Sequence, residues 1–241
     1  MMESVLMKEK GLSLYIAGAD YNFRQQTQGS KIGDDVARAL SVMSIQPTEI
    51  YSGQQVHGNR ICYADGKNGD AFIFGRNFPD TDGLITDKSG IALLVKYADC
   101  TPIVLFDPKR NVVAALHSGW RSTVQRISQK AIKKMVTDFG CNVTDIVAFL
   151  GPSIDQENYQ VGPEVYEVFA DFKQRDTFFE AKDNKFQLSM TEANYSLLFE
   201  AGINAEHIEV NRISTFLDER LHSARAEGKE YGLNGLFVMM K

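Results

Sequence analysis

Residues 91–121, IALLVKYADCTPIVLFDPKRNVVAALHSGWR, constrain the fold more than any other stretch of this chain. Three apolar segments follow one another: residues 91–95, 103–106 and 112–116. Each is an apolar run rich in Leu, Val and Ile, the pattern of a buried strand. The turn DPKRN at residues 107–111 makes the second and third segments a hairpin. Two polar knots interrupt the runs: Ala98-Asp99-Cys100-Thr101-Pro102 and His117-Ser118-Gly119-Trp120-Arg121. A further short motif lies upstream, Gln55-Val56-His57-Gly58-Asn59. Cysteine and histidine at the ends of buried strands are held on a rigid scaffold, as a metal site or a nucleophile requires.

The rest of the chain reads as mixed α and β. Residues 12–17, 50–56, 60–63, 146–150, 208–210 and 236–240 are strand-like. Residues 34–43 form a helix with Asp34 as its cap. Residues 122–139 form the clearest helix, with Val124, Ile127, Ala131, Met135 and Phe139 on one face, Ser122 or Thr123 capping it and Gly140 ending it. Pro163 opens a helix running to Phe172, with Val165, Val168, Phe169 and Phe172 inward. Thr191 caps another that ends at Gly202, and residues 216–227 are helical in their latter half. Residues 20–30 read as a polar loop. Strands and helices interleave without strict βαβ alternation, so mixed sheets with helices outside are expected. There is no repeat or Pro/Gly-rich linker, so residues 1–241 are expected to form one domain.

Composition excludes several function classes. A net charge of −5 gives no general electrostatic attraction to nucleic acid or anionic membranes, and any anion site must be local. No run approaches the roughly 18 apolar residues of a membrane span, and no signal peptide is read at the N-terminus. Three cysteines, Cys62, Cys100 and Cys141, are too few and too odd a number for a disulfide framework. A cytoplasmic protein, a monomer or weak homodimer, is expected. Cys62 and Cys141 read as structural and His207 as a surface residue.

Two imidazoles and one thiol, His57, His117 and Cys100, are a plausible donor set for a borderline-soft cation. Three protein ligands leave a fourth position open, as in catalytic zinc sites, where a bound water has its pKa lowered towards about 7. Taken singly, each has a plainer reading: a buried cysteine behaves as a small hydrophobe, and a strand-end histidine is often a satisfied core residue. Asp99 beside Cys100 reads either as a ligand-orienting group or general base, or as a carboxylate satisfying its own turn. Arg121, just before the expected helix and after a glycine, has the planar fork and the helix N-terminus that suit phosphate. Trp120, the only tryptophan, is suited to stacking on a base or to filling the core. No glycine pattern for ATP or NAD is present.

The motifs QVHG, ADCTP and HSGWR, in this order and together with DGLIT at residues 82–86, resemble the YfiH/LACC1 family. Its members carry names such as multicopper polyphenol oxidoreductase (laccase) and purine nucleoside phosphorylase. The resemblance runs from about residue 51 to the C-terminus. It implies a layered α-β-β-α core similar to cysteine-hydrolase-like toxin domains. It also implies zinc held by His57, Cys100 and His117, with copper as the alternative. Phosphorolysis of adenosine, inosine and methylthioadenosine would follow, with some adenosine deamination. Cys100, Asp99 and Arg121 would be catalytic; Arg121, Trp120, Arg225 and Ser223 would bind the purine nucleoside and phosphate. Residues 221–228 match the family's C-terminal motif at His222, Ser223 and Arg225 but have Ala226 in place of a second arginine. The family's N-terminal arginine-bearing motif is not seen in residues 14–30, where Arg24 is the nearest substitute.

Three other readings stand beside this one. A copper polyphenol oxidase would follow from the family's older name. Four histidines, His57, His117, His207 and His222, are too few for a blue-copper centre with a trinuclear cluster. A metal-stabilised protein could bind a nucleoside or cell-wall precursor without turnover. A cysteine hydrolase would use Cys100 and His117 as its pair, but a metal on Cys100 would remove its nucleophile.

Overall fold

The computed structural model describes residues 4–241. Residues 1–3, the start of the segment read above for a signal peptide, lie outside the described residues. Fifteen strands are present among the described residues. They are β1 (Leu12–Ala17), β2 (Glu49–Gly53), β3 (Ile61–Tyr63), β4 (Asp70–Phe72), β5 (Gly75–Phe78), β6 (Gly83–Thr86), β7 (Ile91–Tyr97), β8 (Thr101–Asp107), β9 (Val112–Ser118), β10 (Val147–Leu150), β11 (Gln160–Val161), β12 (Phe179–Lys182), β13 (Lys185–Leu188), β14 (Ile208–Val210) and β15 (Asn234–Met240). One six-stranded sheet runs β1-β15-β7-β2-β5-β4, a second runs β14-β10-β8-β9-β6-β3, and a small third runs β11-β13-β12. Parallel and antiparallel pairs mix in both large sheets.

The two large sheets pack face to face. Leu93, Val95, Tyr97, Leu236 and Val238 of the first share one apolar cluster with Val104, Phe106, Val113, Ala115 and Phe149 of the second. The alternate residues of the same strands face outward and are covered by helices. The helices are α1 (Val5–Glu9), α2 (Gln25–Gln28), α3 (Ile32–Met43), α4 (Trp120–Val124), α5 (Ile127–Phe139), α6 (Pro163–Val168), α7 (Arg175–Phe178), α8 (Met190–Glu200) and α9 (Ala224–Glu227). Val36 and Ala39 of α3 pack on Ala92, Leu94 and Phe237. Ile127, Ala131 and Met135 of α5, with Leu198 of α8, pack on Ile103, Leu105, Ala114 and Leu116. This is the α-β-β-α layering expected. It also explains the continuous apolar runs: every residue of β8 and β9 is buried, because both faces of those strands are covered. A separate cluster of Phe169, Phe172, Phe178 and Phe179 joins the small sheet to the inner side of α8.

Several local readings need correcting. The helix expected over residues 122–139 is two helices, broken at Arg126, which takes a left-handed conformation (φ 58). Tertiary contacts hold it there: its guanidinium donates to Gln129, Glu200 and the Asp171 carbonyl and lies 4.6 Å from the Phe172 ring centroid. The first of the two starts at Gly119, not at Ser122 or Thr123. Asp34 and Asp35 sit inside the first turn of α3 rather than capping it. Ser189, not Thr191, caps α8 by accepting from the Glu192 amide. The helix from Pro163 stops at Val168, which is 48% exposed, while Val165, Phe169 and Phe172 are buried as expected. Residues 20–30 include the short helix α2, and the β4–β5 hairpin lies in a stretch to which no element is assigned above. His207 is partly buried rather than on the surface.

Candidate metal centre

The site forms at one end of the sandwich. β2 and β7 are parallel neighbours, so both deliver their following residues to the same edge: β2 leads to His57 and β7 to Cys100. In the facing sheet β8 begins and β9 ends at that edge, with Thr101 opposite Ser118 and Pro102 opposite His117. The two polar knots, seventeen residues apart between Cys100 and His117, are therefore neighbours across one hairpin.

Donor atoms of His57, Cys100 and His117 all lie within 4.8 Å of one another. Cys100 Sγ is 3.8 Å from His57 Nε2, and the two imidazole rings stand edge to face with centroids 4.9 Å apart. Gly119 makes this possible. A Cβ there would lie 2.7 Å from His57 Cδ2 and 2.9 Å from Cys100 Sγ, so the third motif needs a glycine beside its histidine.

Asp82 organises the three. Its carboxylate is 3% exposed and takes four hydrogen bonds. The amides of Val56, His57 and Gly58 donate to it at 3.0, 3.0 and 2.8 Å. His117 Nδ1 donates to Oδ1 at 2.8 Å, leaving Nε2 of that ring for a ligand role. The three amides wrap the carboxylate as an anion-binding nest, and His57 at their centre adopts φ 61. One buried carboxylate thus positions the backbone of one histidine and the ring of the other. Asp82 opens the DGLIT stretch, but no local pattern in the sequence assigns it this role.

Charge is distributed accordingly. Burial pushes the Cys100 thiol up, but the imidazoles of His117 and His57 outweigh it and bring it down to about 6. Burial alone would lower His117, yet the Cys100 thiolate and Asp82 raise it to about 9. Asp82 is raised by burial and lowered by more, through His117 and the amides of Gly58 and Val56, so its carboxylate is held below the usual range. Without a metal the site is a thiolate–imidazolium pair. A cation replaces that proton with no change of donor set, and a thiolate with two neutral imidazoles suits zinc or copper.

The other expected residues fall into two groups. Asp99, at φ 78, accepts from Thr215 Oγ1 and from the Arg225 amide, both at 2.8 Å, so both carboxylate oxygens are engaged in holding the C-terminal segment against the Cys100 turn. Ser223 is buried and caps α9, its Oγ accepting from the Ala226 amide. Arg121 lies over the Trp120 ring at 4.1 Å; the helix behind it is only the five residues of α4. Arg225 donates to the carbonyls of Asn158 and Gln160 and lies 5.4 Å from the Tyr159 ring centroid. Tyr159, which no motif drew attention to, is pushed up by burial and feels the charges of Cys100, Arg225, Asp99 and Arg121, which places it among them. Cys62 and Cys141 stand apart from the site, Cys62 against Thr81 and Cys141 buried.

His57, Cys100 and His117 also line a cavity of about 550 Å³ on the side of the N-terminal segment. Phe72, Asn77, Gln54 and Tyr231 contribute to its wall, and the Arg24 guanidinium lies over Tyr231 at 4.1 Å. Arg24 donates to the carbonyls of Lys229 and Tyr231. Trp120, Arg121, Ser223 and Arg225 are not part of that wall.

The family model described as multi-copper polyphenol oxidoreductase laccase matches residues 4–241. The chain belongs to this family. Among its relatives, a purine nucleoside phosphorylase from Clostridium acetobutylicum is 32% identical over 236 residues, 97% of this chain and 94% of that protein. One from Bacteroides thetaiotaomicron is 29% identical over 223 residues, 88% of this chain and 81% of that protein. A protein from an unknown prokaryotic organism, 32% identical over 73% of this chain and 72% of its own length, is named adenosine deaminase RL5. The crystal structure of the Bacillus licheniformis hypothetical protein YfiH superposes with a TM-score of 0.86 at 27% identity, covering 91% of this chain and 85% of that one. The match begins at residue 4, so the family's reach into the N-terminal third exceeds what the motifs alone indicated. Among the described residues no helix is long and apolar enough to cross a membrane.

Proposed function

We propose that this chain is a zinc-dependent purine nucleoside phosphorylase acting on adenosine, inosine and methylthioadenosine, with adenosine deamination as a side activity. The observation that carries the reading is the His57–Cys100–His117 triad set in the wall of a cavity of about 550 Å³, a size suited to a small ligand. The names of the relatives from Clostridium acetobutylicum and Bacteroides thetaiotaomicron support it, and that of the deaminase supports the side activity.

Phosphorolysis breaks the bond between the ribose anomeric carbon and the base nitrogen and joins that carbon to a phosphate oxygen. A metal bound by the triad would supply a Lewis acid at its open position. The protein's own task is positioning and charge. Asp82 keeps His57 and His117 in their ligand geometry. Phe72 and Tyr231 offer flat faces for a purine, and Gln54 and Asn77 offer amides for its polar edge. Asp99 keeps the turn carrying Cys100 fixed to Thr215 and Arg225. Arg121, Trp120 and Arg225, grouped near Tyr159, are proposed to meet substrate from outside the cavity wall.

The multicopper alternative is less well supported. Among the described residues, His57, Cys100 and His117 are the one group of three or more His, Cys, Asp or Glu donors close enough to hold an ion. His222 is engaged by Glu227 and the Tyr21 carbonyl. The test is incubation of the purified protein with adenosine, with and without phosphate, read by liquid chromatography beside metal analysis and a Cys100→Ala variant. Adenine formed only with phosphate, near-stoichiometric zinc, and loss of both in the variant are the expected results. Zinc without release of adenine or inosine refutes the assignment.

A further inference from the structure

The triad's cavity has an unusual charge balance. Its wall carries Lys96 and Arg24 besides the two histidines, and no Asp or Glu. Lys96 lies on the outward face of β7, in line with Ala92 and Leu94, where an apolar residue would be expected. Its backbone is clamped by the side chain of Gln55: the Lys96 amide donates to Oε1 at 3.0 Å, and Nε2 donates to the Lys96 carbonyl at 2.5 Å. This gives a purpose to the first residue of the QVHG motif. Opposite Lys96 on β15 is Gly235, over which the Phe23 ring lies, so no carboxylate reaches it from that strand. The ammonium donates to the Gly53 carbonyl at 3.1 Å. Among the described residues it forms no ion pair, and an ammonium has three protons to give. Burial brings it down to about 8, and no neighbouring charge offsets that burial. A partly buried cation without an ion pair, on a wall that holds no carboxylate and whose one thiolate, Cys100, is committed to the two histidines, lacks its own partner.

We infer that Lys96, with Arg24 across the cavity wall, forms an oxyanion subsite beside the metal triad that takes inorganic phosphate or the phosphoryl group of a nucleotide. The two cations differ in kind. Arg24 is held at the rim by two carbonyls and Tyr231, whereas Lys96 has donors uncommitted. The inference deepens the phosphorylase reading by naming where the anionic co-substrate sits, and it rests on that reading only for the anion's part in turnover.

The test is binding, independent of chemistry. Titration calorimetry of the zinc-loaded protein is run with inorganic phosphate, with adenosine monophosphate and with neutral adenosine, on the wild type and on Lys96→Gln. The variant should weaken each phosphate-bearing ligand that the wild type binds about tenfold or more, the effect of removing a charged hydrogen-bond donor, and leave adenosine unchanged. If free phosphate is the ligand, it binds the wild type without a nucleoside. If a nucleotide is the ligand, only the monophosphate binds and loses affinity in the variant. Should Lys96→Gln fail to fold, the wild type still decides: reductive methylation mapped by peptide mass spectrometry should show Lys96 protected by the binding anion. Equal anion affinity in variant and wild type, no anion binding to the wild type, or methylation of Lys96 unaffected by anion overturns the inference. Phosphate binding through Lys96 without nucleoside cleavage would leave the subsite standing and remove the phosphorylase reading. Phosphate-dependent cleavage with an unchanged phosphate KM in Lys96→Gln would do the reverse.

Discussion

Replacing Asp82 with asparagine tests the construction of the candidate metal centre at its pivot. The substitution is nearly isosteric, but it turns one acceptor oxygen into an NH₂ group, and each oxygen of Asp82 faces two donors. Oδ1 receives the His57 amide and His117 Nδ1; Oδ2 receives the amides of Val56 and Gly58. If the NH₂ takes the Oδ1 position, the His57 amide loses its acceptor and His117 must present a bare Nδ1, which moves the ring proton to Nε2 and removes the lone pair a metal needs. If it takes the Oδ2 position, the part-buried amides of Val56 and Gly58 face a donor, at about 1–3 kcal/mol each. The first arrangement costs metal affinity by about 10–100-fold, the range for loss of a partner that orients a ligand; that is about 1.4–2.7 kcal/mol. The second costs stability of the metal-free protein and loosens the turn carrying His57. Zinc affinity by competition with a chromophoric chelator, and urea unfolding of the chelator-treated protein, separate the two. A variant that keeps zinc affinity within about twofold and unfolding free energy within about 0.5 kcal/mol would refute the pivotal role of Asp82.

Other outcomes follow from the same geometry. Gly119→Ala should retain the fold, because its φ of −75 suits alanine, yet weaken zinc binding, because the new methyl meets His57 Cδ2 at 2.7 Å and Cys100 Sγ at 2.9 Å; circular dichroism and zinc titration read the two effects separately. In chelator-treated protein, alkylation of Cys100 by iodoacetamide should be fast above a midpoint of about 6 and fall as the thiolate is protonated below it, whereas an ordinary thiol gives a midpoint near ~8.5. Zinc should suppress that alkylation across the range; a midpoint above about 8 would contradict the thiolate–imidazolium pair. Asp99→Asn should lower stability by roughly 1–3 kcal/mol through its bonds to Thr215 and Arg225, measured by urea unfolding. It should leave the pH profile of nucleoside cleavage in place, and loss of an ionising limb from that profile would instead give Asp99 a proton-transfer role.

Residues 91–121 carried most of what could be known in advance. Their apolar runs specify buried strands, and the polar turn between the second and third specifies a hairpin. A hairpin brings the start of one strand beside the end of the next, so Cys100 and His117 had to be neighbours. The inward face of α5 was likewise legible, and after Pro163 so were Val165, Phe169 and Phe172 but not the exposed Val168, because period and composition are local properties.

What sequence left open depended on distant partners. The break at Arg126 is invisible to helical periodicity, since it is held by Glu200, Asp171 and Phe172. The role of Asp82 required bringing residues 56–58 and 117 around a single carboxylate, and no spacing rule joins segments so far apart. Tyr159 and Lys96 were missed for the same reason: a tyrosine in a loop and a lysine ending an apolar run carry no signal until the surrounding charges are placed. The sequence by itself determined the donor types and the strand ends that present them, because strand formation and hairpin closure depend on nearby residues. Only the tertiary structure decided which carboxylate orients the donors and which cation shares their cavity, because burial and electrostatic pairing are set by elements that meet across two sheets.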